Sequence, residues 1–191
     1  PNSATISADK MNVVYRGVAN PMTISFAGIS SDKVNATAPG LKRSGKAGSY
    51  LMTPSKGREV TINVTGTLPD GSRVSDKKKF RIKDIPRPAA AISGQVGTIK
   101  KSKSSLRNGT VSAVLEDFVF DLKLKVNSFK FKVPGQPTIS CTGTKLNDRA
   151  KSALQRAKRG DMIQIFELST SVVGSSVRPK KASAVLIEIT N

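Results

Sequence analysis

The sequence predicts a mainly β protein of two tandem domains. An Ig-like β-sandwich is expected over about residues 1–87, followed by a β-rich, sandwich-like domain over about residues 88–191 that carries one amphipathic helix. Short apolar–polar alternations separated by turn residues recur along the chain, which is typical of strands joined by tight connections. Two prolines one residue apart divide the 191 residues nearly in half. A helical period of apolar residues stands out in the second half.

The first half is predicted to be all-β. A clean alternation places Val60, Ile62 and Val64 on one face of a strand, and Phe80 and Ile82 alternate with cations in the same way. Further β-prone stretches are residues 13–15, 22–26 and 50–52. Turn signals lie at Asn20-Pro21, Pro39-Gly40, residues 54–57 and residues 69–71. Six or seven short strands with this spacing predict a small antiparallel sandwich of Ig-like architecture.

The segment Ile85-Pro86-Arg87-Pro88 is interpreted as a linker. Proline favours extended backbone and cannot continue the ladder of a central strand, so the two prolines end the first domain. Small residues follow them, and the linker is therefore expected to be short and rather stiff.

The second half contains the strongest strand signal in the chain. Its first apolar phase comprises Phe118, Phe120, Leu122, Leu124 and Val126, with Val119 and Asp121 among the intervening residues. Phe129, Phe131 and Val133 continue in the opposite phase. A slip of one residue at Asn127-Ser128 exchanges the two faces, which predicts a β-bulge or a strand break there. Two later strands are predicted over residues 162–168 and 184–189.

One helix is predicted over about residues 147–159. Five apolar residues fall on one helical face: Leu146, Ala150, Ala153, Leu154 and Ala157. Asn147 is the expected N-cap, Asp148 suits the first turn, and Gly160 supplies a stop. Three cations, Arg156, Lys158 and Arg159, are expected in the last turn. The basic segment of residues 100–107 fits either a loop or one helical turn.

The composition excludes several kinds of site. Without histidine the chain has no imidazole base or ligand, and its single cysteine, Cys141, allows no internal disulfide and no thiolate zinc cage. Cys141 lies in an alternating segment and is expected to be a half-buried strand residue. No glycine-rich phosphate loop occurs. We therefore predict no catalytic residue, no metal and no cofactor. No apolar run is long enough to cross a bilayer, and no direct membrane contact is expected.

The formal net charge of +19 is the compositional feature that most needs a cause. The cations concentrate in three places, which are candidate partner-binding sites: Lys77, Lys78 and Lys79; Lys100, Lys101 and Lys103; and Arg149, Lys151, Arg156, Lys158 and Arg159. Each cluster is either a solvated surface or a contact for an acidic protein or another anionic surface. Aromatic residues are only 5% of the chain, so stacking platforms for bases are scarce and no nucleic-acid partner is predicted.

Four segments resemble the GldM/PorM proteins of gliding motility and type IX secretion. The first runs from Lys10-Met11 to Asn20-Pro21, and the others are residues 80–86, 117–122 and 159–166. They occur in the family's order, and the resemblance extends over essentially the whole chain. Because the chain starts at Pro1 rather than at methionine, we expect it to be a fragment, similar to the last two periplasmic domains of the family.

The resemblance implies a non-enzymatic structural module in the periplasm. The full-length protein is expected to be a homodimer anchored in the inner membrane, with a GldL-type motor partner bound through the missing N-terminal part. GldK/GldN-type outer-membrane ring proteins are expected at the C-terminal end, so that the module links motor to ring and transmits force. The residues add that the apolar last strand, 184–189, would offer an uncovered edge for dimerisation. The alternative is a basic binding module for an anionic polymer, either polysaccharide or nucleic acid.

Overall fold

The computed structural model describes residues 3–8, 12–54, 56–118, 120 and 122–191. Six residues that the predictions above name, or include in a turn or motif, lie outside these ranges: Pro1, Lys10, Met11, Ser55, Val119 and Asp121. The chain divides into two compact units between Ile85 and Pro86, and each unit has its own hydrophobic core. The mainly β fold class is confirmed, since strands dominate both units.

The first unit is a sandwich of two four-stranded sheets, which confirms the Ig-like architecture. Its strands are β1 (Ala4–Ala8), β2 (Val13–Tyr15), β3 (Asn20–Phe26), β4 (Val34–Thr37), β5 (Leu41–Arg43), β6 (Ser49–Met52), β7 (Glu59–Thr67) and β8 (Arg73–Lys83). The sheet orders are β1-β3-β6-β5 and β2-β8-β7-β4. All pairs are antiparallel except β2 with β8. A 3₁₀ turn, Ser31–Lys33, precedes β4.

Strict alternation explains this core. β7 buries Val60, Ile62 and Val64 as predicted, and β8 adds Phe80 and Ile82 from its inner face. On β7 and β8 the intervening side chains lie on the solvent-facing side, because successive residues of a strand face opposite ways.

Asn20-Pro21 is not a turn, and that prediction was wrong. Asn20 begins β3, whose ladder with β1 ends at the Ala8–Met22 pair. Pro21 lies beyond that pair, so its missing N–H leaves no gap between the two strands. A proline is therefore tolerated at the start of this strand.

The second unit joins a three-stranded and a five-stranded sheet through one core. Its elements are β9 (Ala89–Ile92), β10 (Gln95–Val96), β11 (Thr98–Lys101), α1 (Lys103–Arg107), β12 (Val111–Val114), β13 (Leu124–Lys132), β14 (Ile139–Thr142), α2 (Asp148–Gln155), β15 (Met162–Val172) and β16 (Val185–Ile189). The sheet orders are β10-β9-β12 and β11-β16-β15-β13-β14. Leu106 of α1 and the apolar face of α2 belong to the same core as both sheets.

β13 begins at Leu124, so the predicted strand from Phe118 starts too early. The Leu122 N–H donates to the Phe120 carbonyl oxygen at 2.9 Å, a tight local turn that takes the backbone away from a ladder. The rings of Phe118 and Phe120 lie 5.5 Å apart, centroid to centroid. Phe118, Phe120 and Leu122 are therefore half-buried residues outside any ladder.

The predicted phase slip at Asn127-Ser128 is confirmed as a bulge. β13 and β15 pair Val126 with Thr170 and Ser128 with Ser169, which leaves Asn127 as the extra residue. A second irregularity follows at once on β15, where Glu167 has a φ of 46°. Each bulge moves the apolar set of its own strand to the other phase.

α2 ends at Gln155, and the predicted end at residue 159 was wrong. The N–H groups of Arg156 and Ala157 donate to carbonyl oxygens three residues back, at 3.1 and 3.0 Å, which tightens the last turn. Asp161 Oδ2 then accepts from the Lys158 N–H at 2.8 Å in a separate turn. The cations predicted for the last helical turn follow the helix instead: Arg156, Lys158 and Arg159.

The start and the buried face of α2 match the prediction. Asn147 is the N-cap, and its Oδ1 accepts from the Ala150 N–H at 2.9 Å. All five apolar residues predicted for the core are buried: Leu146, Ala150, Ala153, Leu154 and Ala157. The short helix α1 occupies part of the basic segment 100–107, so one of the two readings of that segment, a helical turn, is correct.

The last strand, β16, does not offer a free edge. It pairs with β11 on one side and β15 on the other, and Ile187 is fully buried. The expectation that this strand exposes an edge for dimerisation was therefore wrong. Both edges of β16 are paired, while its faces alternate between the buried Val185, Ile187 and Ile189 and the half-buried Leu186 and Glu188.

Candidate partner-binding surfaces

The cations of α2 and the following turn do not form one face. Helical residues advance by about 100°, so Arg149 and Arg156, seven apart, lie on one line, while Lys151 lies across the exposed arc. Lys158 and Arg159 are exposed in the turn before β15. The structure therefore divides the predicted cluster into three parts: the Arg149–Arg156 pair, Lys151, and the two cations of the turn.

Arg149 and Arg156 border a surface groove of about 330 Å³. The other lining residues are Gln136, Pro137, Ile139, Asp148 and Ser152. Gln136 Nε2 donates to the Ala153 carbonyl oxygen at 3.0 Å, and Gln136 Oε1 accepts from Arg156 Nη2 at 2.9 Å. This chain of hydrogen bonds holds the Arg156 guanidinium against the helix.

The groove is bordered by hydrogen-bond donors from one side of the helix. Arg156 and Arg149 are separated by roughly 10.5 Å along the helix axis, with the Ser152 hydroxyl between them. Within the described residues, no ion pair engages either guanidinium, and Asp148 supplies one carboxylate at the rim. Guanidinium groups bind carboxylates through paired N–H donors, so this groove suits an acidic protein surface.

The Lys100 cluster is largely engaged within its own unit. Lys100 Nζ lies 3.5 Å from Glu188 Oε2, and Lys103 Nζ donates to the Gln155 carbonyl oxygen at 3.3 Å. The Lys103 N–H also donates to Asn191 Oδ1 at 2.9 Å, and Lys101 is only half-exposed. These contacts leave less of the cluster for a partner than the sequence suggests.

The Lys77–79 cluster is split by the alternation of β8. Lys77 and Lys79 point outward, whereas Lys78 points to the inner side. Lys78 Nζ donates to the Ile6 carbonyl oxygen at 3.2 Å and lies 5.8 Å from the centroid of the Phe80 ring. Lys78 therefore joins the two sheets at their margin.

Sequence reasoning missed Gln136 and Ser152 as groove residues. Gln136 lies in the connection from β13 to β14, and no periodicity relates it to a helix that follows at residue 148. Ser152 is recognisable in retrospect, because residues 149, 152 and 156 share one helical line.

The single thiol of the chain is not exposed at these surfaces. Cys141 is fully buried in β14, and burial raises the pKa of its thiol. Cys141 is therefore more deeply buried than the half-buried position that the sequence predicted. Across residues 3–8, 12–54, 56–118, 120 and 122–191, no group of His, Cys, Asp or Glu side chains could hold a metal ion. Nor does any helix in those ranges have the length and apolar character to span a membrane.

Several solved structures are similar in part. One holds fibronectin(III)-like modules of Clostridium thermocellum CbhA, with 13% identity, a TM-score of 0.35, and coverage of 98% of this chain and 94% of that one. Another is the extracellular domain of protocadherin GammaB4, with 6% identity, a TM-score of 0.34, and coverage of 99% and 33%. A Bacteroides ovatus mixed-linkage glucan utilization protein, SGBP-B, has 11% identity, a TM-score of 0.26, and coverage of 94% and 43%. No curated protein sequence matches the chain.

Two family models together cover almost all of the sequence. The GldM third domain matches residues 3–83, and the GldM C-terminal domain matches residues 86–190. The junction between the matches coincides with the division of the structure between Ile85 and Pro86. The chain therefore belongs to the GldM family of gliding-motility and type IX secretion components, and comprises its third and C-terminal domains.

Proposed function

We propose that this chain is a non-enzymatic, force-transmitting module in the periplasm. In this proposal the full-length protein is anchored in the inner membrane, where its N-terminal part meets a GldL-type motor protein. The domains described above reach GldK/GldN-type ring proteins associated with the outer membrane. Family membership supports a place in the gliding-motility and type IX secretion machinery. The arginine pair of α2 supports a contact with an acidic partner.

The observation that carries the proposed contact is the held guanidinium of Arg156. Gln136 fixes this group from the adjacent connection, so less side-chain freedom is lost when a carboxylate binds. Arg149 repeats the charge on the same helical line. An acidic ring surface facing this groove would gain both orientation and a faster association.

The test is a pull-down of ring proteins by the 191-residue chain at low and physiological salt. Arg149→Glu with Arg156→Glu is expected to weaken binding by about tenfold, mainly by slowing association, because complementary charges steer encounter. The matched control is Lys123→Glu with Lys125→Glu, an equal charge change at two exposed residues of the same unit. Equal losses in both variants, or none in either at low salt, would refute this contact surface.

Chromatography of the same chain on heparin and DNA columns tests the alternative function, binding of an anionic polymer. The structural module is supported if retention disappears at modest salt while the ring complex survives, since nonspecific polyanion binding falls steeply with salt. Retention that outlasts the ring complex would favour the polymer-binding alternative.

Homodimerisation is proposed on the family resemblance alone, because β16 has no free edge. Light scattering of the chain over a range of concentrations tests whether these two domains hold a dimer. A monomer at high concentration would exclude a dimer held by these domains.

A further inference from the structure

The outer face of β8 carries a row of cations. Residues 73, 75, 77, 79, 81 and 83 point the same way because strand side chains alternate between faces. All but one of these are basic and exposed: Arg73, Lys77, Lys79, Arg81 and Lys83. We call these residues the β8 row. It is broader than the Lys77–79 cluster and leaves out Lys78.

The row has the period of an extended polypeptide. Two residues of an antiparallel strand advance about 6.8 Å, so its cations repeat at this interval except at Ser75. From Arg73 to Lys83 the row extends roughly 34 Å. A ligand that matches it needs negative groups at the same interval along a straight path.

The neighbouring strand β7 neutralises little of the positive charge of the β8 row. β7 places Thr67, Thr65, Asn63, Thr61 and Glu59 opposite Arg73, Ser75, Lys77, Lys79 and Arg81. Glu59 is the sole carboxylate in these cross-strand pairs, and no ion pair joins it to Arg81 in the part of the chain that the structure describes. Asp76 lies on the inner side, where its Oδ2 accepts from the Ala4 N–H at 2.9 Å.

One end of the row opens into a polar groove of about 280 Å³. Its lining combines two cations with hydroxyl and amide groups: Lys33, Asn35, Thr65, Gly66, Thr67 and Arg73. Lys33 thus adds a cation from the turn before β4. The groove gives a bound chain hydrogen-bonding partners where the row ends.

We propose that this face binds an acidic protein segment in extended conformation, with carboxylates on alternate residues facing the β8 row. The side chains of such a segment repeat every 6.8 Å or so, and successive carboxylates therefore meet successive cations. The outward residues of β4, β7 and β8 in the described ranges are Lys, Arg, Ser, Thr, Asn and Glu. They include no aromatic residue, and β2 adds one at the margin of this face, the half-buried Tyr15 beside Lys83. One ring does not provide a series of platforms for successive bases, so the face favours a polypeptide over a nucleic acid. This surface belongs to the first unit and is independent of the α2 groove.

The test measures binding of the 191-residue chain to a fluorescent peptide in which Glu alternates with Ser. A second peptide of the same composition has its Glu residues in one block. The alternating peptide is expected to bind more tightly, and Lys77→Gln with Lys79→Gln and Arg81→Gln to weaken it by about tenfold, as three exposed charge pairs would. Neutral glutamine avoids placing a like charge beside Glu59.

The matched control is Lys42→Gln with Lys46→Gln and Lys56→Gln, which removes the same charge from exposed positions elsewhere in the first unit. This control is expected to bind the peptide nearly as well as the native chain. An equal loss in both triple variants, or equal affinity for the two peptides, would overturn the proposed surface. Tighter binding of single-stranded DNA or a heparin oligosaccharide, lost in the row variant, would overturn the polypeptide as its partner. Thermal unfolding by circular dichroism verifies that each variant is folded.

Discussion

At the scale of single residues, the buried side chain of Asn20 lies within hydrogen-bonding distance of four backbone groups of the first unit. Its side chain is 1% exposed, and its Oδ1 accepts from the Tyr15 N–H at 2.8 Å. Its Nδ2 lies within 2.9 Å of three carbonyl oxygens, those of Tyr15, Val18 and Met52. One amide therefore ties the connection from β2 to β3 onto β6.

Asn20→Ala is expected to lower the free energy of unfolding of the first unit by about 2–3 kcal/mol. The substitution leaves buried backbone groups without partners, and each such group costs about 1–3 kcal/mol unless water reaches it. Urea unfolding followed by tyrosine fluorescence measures the change. Asn63→Ala, at an exposed residue of β7, is the control and should stay within about 0.5 kcal/mol of the native chain. Similar values for the two variants would contradict the role given to Asn20.

Glu167 gives the second unit a pH-dependent contact. Lys130 Nζ lies 2.6 Å from Glu167 Oε2, and this hydrogen-bonded cation lowers the pKa of the Glu167 carboxyl from its ordinary value of 4.5. Because the folded-state pKa of Glu167 is lowered, the contact stabilises the protein fully at pH values above the ordinary pKa of 4.5. The contribution is lost as the pH falls through the folded-state pKa.

Glu167→Gln is therefore expected to destabilise the chain slightly at neutral pH and not at all in strong acid. Both residues are partly exposed, so the effect is small and screened by salt. The measurement is the difference in unfolding free energy between native and variant chains, taken at several values of pH from neutral down to below the folded-state pKa. A difference that grows on acidification would have the wrong sign for this account.

At the scale of elements, the N-cap residue of α2 links the helix to a strand. The Asn147 side chain caps the Ala150 N–H and also donates to the Ser140 carbonyl oxygen at 3.0 Å, which ties the helix to β14. No cation of α2 itself occupies its last turn, but Lys103 Nζ of α1 donates to the Gln155 carbonyl oxygen at 3.3 Å and places a positive charge at that end of the helix.

Asn147→Ala is expected to cost about 1 kcal/mol, the usual value for a lost N-cap. Asn147→Ser keeps a capping oxygen but loses the donor to Ser140, and should fall between the alanine variant and the native chain. Thermal unfolding of the second unit by circular dichroism ranks the three proteins. A serine variant as unstable as the alanine variant would show that the tie to β14, rather than the cap, matters.

Elements with a full period were predictable, and those fixed by distant contacts were not. The alternation of β7 and the apolar face of α2 are local patterns, and their burial follows directly from them. β4 and β5 are too short to show a period, and they form because a neighbouring strand pairs with them. The helix end was misjudged because Asp161, beyond the cations, closes the next turn. Gln136 reaches the α2 groove only through the tertiary fold.

At the scale of the whole molecule, positive charge is distributed rather than concentrated. The excess of +19 is shared by both units. Part of it lies in the β8 row of the first unit and part in the arginine pair of α2 in the second. Many other cations are singly exposed and keep the surface solvated. Removing positive charge anywhere would therefore weaken nonspecific attraction, so the α2 arginine variant and the β8 row variant are each compared with a control of equal charge change.

The two cores share no residue, and we expect the two units to unfold separately. The chain itself supplies the probe: it has no tryptophan, and its two tyrosines, Tyr15 and Tyr50, lie in the first unit. Ile62→Ala and Ile163→Ala are a matched pair, because each removes a fully buried isoleucine from a strand paired on both sides. Each is expected to cost its own unit about 2–5 kcal/mol.

Ile62→Ala is expected to lower the urea midpoint recorded by tyrosine fluorescence, since it weakens the core around Tyr50. Ile163→Ala should leave that midpoint unchanged while it shifts the part of the circular dichroism transition that comes from the second unit. The physical reason is that a cavity destabilises the core that contains it, and unfolding of one core does not expose the other. Should Ile163→Ala move the fluorescence midpoint as far as Ile62→Ala does, the units unfold as one cooperative body, and a load applied to one would be borne by both.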